Sequence, residues 1–233
     1  MTTLERWAYR AVVRAVGTAP SQGYQPGGLT EILTRCSPWR SLRATRRCGG
    51  PVLVARGARL AVDRRATVTM TPGSVLMIGV SPMGSRATLV QLAPGGRLEI
   101  DGAVTVMSGC HLHVDGDARL TVGSHTFFNA GTTVWCSGSV TLGHGCAVSW
   151  NVTITDSDVH TLVRRGRRVP RTKPVRIGDR VWIGAGATIL KGVEIGEGSV
   201  VGAGSVVRES LPAGSLAGGD PARVVDDAVD WEL

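Results

Sequence analysis

Aromatic side chains make up only 4% of the 233 residues, with two Phe and two Tyr, so large rings cannot fill the interior. Any core must come from Val, Ile, Leu and Ala, and the 32 glycines point to many tight corners between short elements. Cysteine is scarce too. Cys36, Cys48, Cys110, Cys136 and Cys146 are odd in number and contain no Cys-x-x-Cys pair, which argues against a disulfide framework and against a zinc site. A reducing, cytoplasmic compartment is the expectation. The N-terminal stretch lacks the unbroken apolar run of a secretory signal, because Glu5, Arg6, Arg10 and Arg14 interrupt it. Residues 120–155 contain no Asp, Glu, Lys or Arg at all. Their frequent Gly, Ser, Thr and Asn speak against a bilayer helix, and the run reads as surface shielded by another subunit.

What is present fits one domain with short appendages: 42% hydrophobic and 19% charged residues suffice to bury a core. The net charge is +8, and six of the 26 basic residues fall between Arg164 and Lys173. Such a run attracts polyanions, although a solvated loop needs no ligand. Residues 3–16 carry Arg6, Arg10 and Arg14 along one stripe and Leu4, Trp7, Ala8 and Val12 among the apolar positions, the pattern of an amphipathic helix. Docking of that helix on the protein is the expectation, with at most peripheral membrane contact. Residues 17–50 are rich in Gly, Pro and Arg and suggest no structure.

Downstream, Ile177, Ile183, Ile189, Ile195, Val201 and Val207 stand six apart without error. That period is neither helical nor a simple alternation. Two residues before each stands Val175, Val181, Ala187, Val193, Ser199 or Ser205, so every unit offers two inward side chains at strand spacing. A short strand plus a corner, three times over, makes a triangular coil whose stacked backbones pair at about 4.8 Å. The chain therefore predicts an all-β parallel β-helix. The phase continues upstream through Leu142, Val148 and Ile154, in another register through Val122, Phe128, Val134 and Val140, and more loosely through Ile100, Val106 and Leu112. Roughly residues 75–210 read as solenoid, inside a domain of 51–215, with an N-terminal segment 1–50, a loop 161–174 and a C-terminal tail 216–233.

Continuing the inward positions past Val152 and Ile154 leads to Asp158 and His160, two apart, where apolar residues are due. On one strand face a carboxylate beside an imidazole fixes its tautomer and raises its basicity, as a general base requires. Asp156 is the alternative partner. Asn129 follows inward Phe128 and so opens a corner, and Trp182 lies between inward Val181 and Ile183 and projects outward.

The stretches "IGDRVWIGAGATILKGVEIGEGSVVGAGSVV" and "LAGGDPARVV", with "FFNAGTTV" through "DSDVH", resemble the hexapeptide-repeat acyltransferases, above all the polysaccharide O-acetyltransferases and the galactoside and maltose acetyltransferases. The resemblance is strong over residues 120–225 and weak before 75. It implies a left-handed β-helix, a homotrimer, acetyl-CoA as acyl donor in the cleft between neighbouring β-helices, and a histidine, here His160, that deprotonates the acceptor hydroxyl. Asn129 would hold the acceptor or the developing oxyanion, and Trp182 would meet the donor and acceptor pocket. Gly184, Ala185, Gly202 and Ala203 would line the CoA arm, and Arg223 would lie near its nucleotide end. Asp156, Arg164 and Arg165 would face an acceptor, an anionic one if the basic run recruits it. Ser137 stands where the galactoside branch has an acidic residue, and Arg208 with Glu209 where Thr-Lys is common.

The reading implied is an acetyl-CoA-dependent O-acetyltransferase of a sugar or glycan hydroxyl, with no metal and no nucleic-acid partner. N-acetylation of an amino sugar changes only the nucleophile. A non-enzymatic β-helix that binds polyanions is a third class. His111 and His113, two apart on a strand, raise a metal site as in a β-helix carbonic anhydrase, but no third histidine is suitably placed.

Overall fold

The computed structural model describes residues 35–80 and 87–232, so the helix expected at 3–16 lies outside the described residues. The chain winds as a left-handed parallel β-helix with three flat faces. One face carries Val52–Val54, Val75–Val80, Ala103–Met107, Thr126–Phe128, Ala147–Val148, Trp182–Ile183, Val200–Val201 and Leu216–Gly219 in parallel, with Ala222–Asp226 folded back antiparallel on the last. The second runs from Ala58–Val62 through Thr133–Cys136 and Thr153–Thr155 to Val206–Val207, and the third from Thr67–Met70 through Val175–Ile177 to Glu194–Ile195.

The six-residue pattern finds its packing meaning in the core. Val175, Ile177, Val181, Ile183, Ala187, Ile189, Val193, Ile195, Val201 and Val207 are all buried, and so are the upstream Leu142, Val148, Ile154, Val122, Phe128, Val134 and Val140. Polar members of the pattern are satisfied inside: Ser199 donates from Oγ to the Pro212 carbonyl at 2.7 Å, and Ser205 Oγ accepts from the Gly219 amide at 3.2 Å. Burial pushes the Cys36, Cys48, Cys110 and Cys146 thiols up to about 11. Burial and then the Asp156 charge push Cys136 up to about 12. All five are free thiols that stay protonated at neutral pH and offer no nucleophile.

Pairing starts earlier than the readable repeat, since Val52 already lies beside Leu76. Helix α1, Pro38–Cys48, lies over this first coil, although the Pro and Arg around it suggest no structure. Pro38 opens it in the first turn, and Gly49, at φ 69°, ends it in the left-handed conformation that glycine adopts without penalty. Its buried face is Ser41, Ala44 and Cys48, small enough for close approach. The solenoid also runs on past 210, through Leu216–Gly219 and the reversing Ala222–Asp226.

Candidate functional site

The site residues fall on two edges of the prism. The edge between the first and second faces is a column built by register: Phe128 lies beside Val148, Val148 beside Ile183, and Ile183 beside Val201. The residue after each, Asn129, Ser149, Gly184 and Gly202, therefore stack from coil to coil, followed by Ala130, Trp150, Ala185 and Ala203. Asn129 is half-buried, and its amide side chain makes no hydrogen bond among the described residues. Gly184 is glycine for a packing reason: a Cβ there would stand 2.6 Å from the Ala203 amide nitrogen. Gly202 is different, because a Cβ would meet nothing closer than 3.4 Å. Its bare backbone leaves room that coil stacking does not use.

Trp182 projects outward from the first face, as its spacing predicts, and remains 42% exposed. Its indole N–H donates to Ser149 Oγ at 3.1 Å. Part of its cover comes from the chain itself, since Trp231 stands against it with ring centroids 6.1 Å apart. Trp231 is held in turn by its indole N–H on the Arg180 carbonyl at 2.7 Å. Trp150 is 47% exposed and Trp135 38%, so the uncharged stretch presents aromatic surface.

His160 lies on the other edge, where the chain leaves Thr153–Thr155 of the second face for Val175–Ile177 of the third. Here the expected geometry needs correction. The inward position after Ile154 is Asp156, not Asp158, and Asp156 is completely buried. Its carboxylate accepts the backbone N–H groups of Ser137 at 2.7 Å, Gly138 at 2.7 Å and Ser139 at 2.6 Å, so it fastens the corner of the preceding coil. It neither faces an acceptor nor partners His160. Asp158 and His160 do not share a strand face either. The His160 amide donates back to the Asp158 carbonyl at 2.6 Å around Val159 at φ 61°, a γ-turn in a conformation that costs a β-branched residue strain. The turn separates the two side chains. Asp158 forms an ion pair with Lys191, whose ammonium also donates to the Pro170 carbonyl at 2.6 Å. His160 is left exposed, and its ring has no carboxylate partner among the described residues.

The expected loop 161–174 is a β-hairpin. Val163–Arg164 pairs antiparallel with Arg167–Arg168, and Arg165 and Gly166, at φ 50° and 73°, form the two-residue turn whose twist suits such strands. Its base is tied by Asp158 N–H to the Arg171 carbonyl at 3.0 Å, Lys173 N–H to the Asp156 carbonyl at 2.9 Å, and the Lys191 clamp. Arg164, Arg165, Arg167 and Arg168 are all exposed on it, beside Leu162 and Val163.

Two groups escaped the sequence reading. Lys191 is one. The other is a surface network in which His113 stacks on Trp135 at 4.4 Å, its Nε2 lies 2.8 Å from Asp115, and Ser137 donates to the same carboxylate. Burial alone would raise the Asp115 carboxyl, but the hydrogen bonds from Ser137 and His113 outweigh it and hold it below its usual range. His113 is thus engaged with a carboxylate and a ring, and among the described residues no three potential ligands cluster as a metal site. Arg223 stands 3.6 Å from Glu209 and Arg208 3.0 Å from Asp220, exposed pairs weak enough for an incoming phosphate to displace.

Residues 174–209 match the family model described as bacterial transferase hexapeptide (six repeats). Nodulation protein L of Rhizobium meliloti (strain 1021) is 43% identical over 113 residues, 48% of this chain and 62% of that protein. Galactoside O-acetyltransferase of Escherichia coli (strain K12) is 34% identical over 115 residues, 48% of this chain and 56% of that protein. In both cases the match spans less than two thirds of the relative's own length. A solved polysialic acid O-acetyltransferase superposes with a TM-score of 0.56 at 23% identity, over 77% of this chain and 89% of that one, a likeness of fold.

Proposed function

We propose that this chain, a hexapeptide-repeat protein of the bacterial transferase type, is an acetyl-CoA-dependent O-acetyltransferase of a sugar or glycan hydroxyl, with His160 as general base. The observation that carries the reading is His160, exposed at the root of a structured basic hairpin that interrupts an otherwise continuous solenoid. An imidazole held there takes the acceptor's O–H proton as its oxygen attacks the thioester carbonyl, then returns the proton to the departing thiolate. The buried, protonated cysteines favour direct transfer over an acyl-cysteine route. The unpartnered Asn129 amide is suited to the oxyanion, and Gly202 with Ala203 offers open backbone to the pantetheine arm.

Asn129 and Trp182 are separated from His160 in one chain by the width of the second face. A site that uses them together takes His160 from one copy and the Asn129 column from a neighbour, which supports a closed trimer with three shared clefts. The exposed tryptophans of the uncharged stretch support the same arrangement. The test is thiol release from acetyl-CoA against a panel of hydroxyl and amine acceptors, with product mass and linkage determined. Transfer to a hydroxyl is the expected result. Transfer to amines alone makes the chain an N-acetyltransferase, and no thioester cleavage with any acceptor sinks the enzymatic reading.

The hairpin extends the reading to an anionic acceptor such as an acidic glycan or a nucleotide sugar. Its guanidinium groups are suited to carboxylate or phosphate and follow the proposed base closely in sequence. Changing Arg164, Arg165, Arg167 and Arg168 to Ala raises the acceptor KM and flattens its salt dependence with little change in kcat, because exposed charge mainly aids encounter and ground-state binding. A rise in the KM for acetyl-CoA instead assigns the hairpin to the donor's phosphates.

A further inference from the structure

The positive charge of the chain is concentrated at one end of the prism. Residues 35–65 hold nine arginines against one acidic residue, Asp63, a balance of +8 that equals the net charge of all 233 residues. These residues are α1 and the first coil beneath it. Some of the charge serves the fold: Arg40 donates to the Arg56 and Ala58 carbonyls at 2.9 and 2.7 Å, and Arg47 to the Asp63 and Ala66 carbonyls at 2.8 and 2.9 Å. Those two guanidiniums satisfy backbone oxygens around the first coil. Arg43, Arg46, Arg56, Arg59, Arg64 and Arg65 do no such work; all are exposed, and none has a carboxylate partner among the described residues.

Helical spacing sorts α1 into two faces. Ser41, Ala44 and Cys48 face the solenoid, while Trp39, Arg43 and Arg46, spaced by four and three, form the opposite stripe. Trp39 is 76% exposed, a large ring in water with arginines beside it. Between α1 and the coil lies a groove of about 510 Å³ with Val54, Leu60 and Val62 on its wall and Arg43 and Arg59 among its lining arginines. A polyanion in water explains the arginines but leaves the tryptophan and the apolar wall without a role. An anionic lipid surface uses all three, with phosphates on the guanidiniums, the indole at headgroup depth and acyl or glycerol carbons against the wall.

We propose that this end of the prism docks on an anionic membrane surface and orients the solenoid axis toward it. The surface is distinct from the His160 edge, and the inference stands whatever acyl acceptor the enzyme uses. The experiment is flotation of the full chain with phosphatidylcholine vesicles, with and without 30% phosphatidylglycerol, at low and high salt. Binding to the anionic vesicles alone, weakened by salt, is expected. Each basic residue near such a surface strengthens binding about fivefold, so replacing Arg43, Arg46, Arg59 and Arg64 with Gln weakens it by about 600-fold. The clamping Arg40 and Arg47 stay in place, so the melting temperature and the turnover of a soluble acceptor stay at wild-type levels. Trp39→Ala alone reduces binding without changing its salt dependence. Equal flotation of wild type and the four-arginine variant overturns the proposal, as does binding to neutral vesicles as tight as to anionic ones. A chain that ignores vesicles yet binds heparin through the same four arginines overturns it in favour of a glycan partner.

Discussion

His160→Ala lowers acetyl transfer by about 10²–10⁴, the usual share of a general base, while the affinity for acetyl-CoA stays near the wild-type value. Single-turnover kinetics with equilibrium binding of the donor separate the two quantities. Near wild-type turnover removes His160 from the chemistry. A second measurement asks where the rest of the site comes from. His160 and Asn129 lie on different edges of the prism, so His160→Ala and Asn129→Ala chains, each impaired alone, are expected to complement each other when assembled together. In a randomly mixed closed ring about a quarter of the clefts join an intact histidine to an intact asparagine from the next copy. A mixture no more active than its components places the whole site within one chain.

Asp156→Asn destabilises the fold by about 3 kcal/mol, because an amide nitrogen then faces donors that the buried carboxylate satisfied, and breaking a buried charged network costs a few kcal/mol. Denaturant unfolding reads that loss directly. Well below the melting transition the variant keeps most of its kcat, since the carboxylate is spent on the amides of Ser137, Gly138 and Ser139. Loss of kcat without loss of stability makes Asp156 the partner of His160 after all.

The solenoid was legible where its coils are shortest. Trp182 pairs with Val200, 18 positions on, and there the six-residue spacing is perfect. Leu76 pairs with Val104, and Val104 with Thr126, so the upstream coils hold extra residues, which lengthen strands such as His111–Val114 and Arg119–Val122 beyond the two residues of Trp182–Ile183. Those residues leave the stacking intact but shift the phase, which hides the first coils and suggests a start near 75. The core survived this because burial follows local alternation. The His160 neighbourhood did not: carrying the six-residue period past Val152 and Ile154 assumed one more regular unit with 158 and 160 on a strand face, and the turn at Val159 breaks it. Asp156 was misjudged for the same reason, because the six-residue period skips it although it stands two residues past inward Ile154. Lys191 reaches Asp158 from another coil, and no local pattern in the sequence marks that meeting. The His113, Asp115, Trp135 and Ser137 network likewise depends on register, since His113 meets Trp135 only when the two coils align.

A stack of parallel strands has two open ends, and each would accept another stack as readily as its own next coil. Here α1 lies across the first coil, with Arg40 and Arg47 occupying carbonyl oxygens there, and at the far end Ala222–Asp226 runs against the direction of the strand it pairs with. A further coil of the same hand finds no parallel template on that last strand. Length control is therefore written into both termini of the prism, and opening either one is expected to turn a discrete particle into a seed for fibrils.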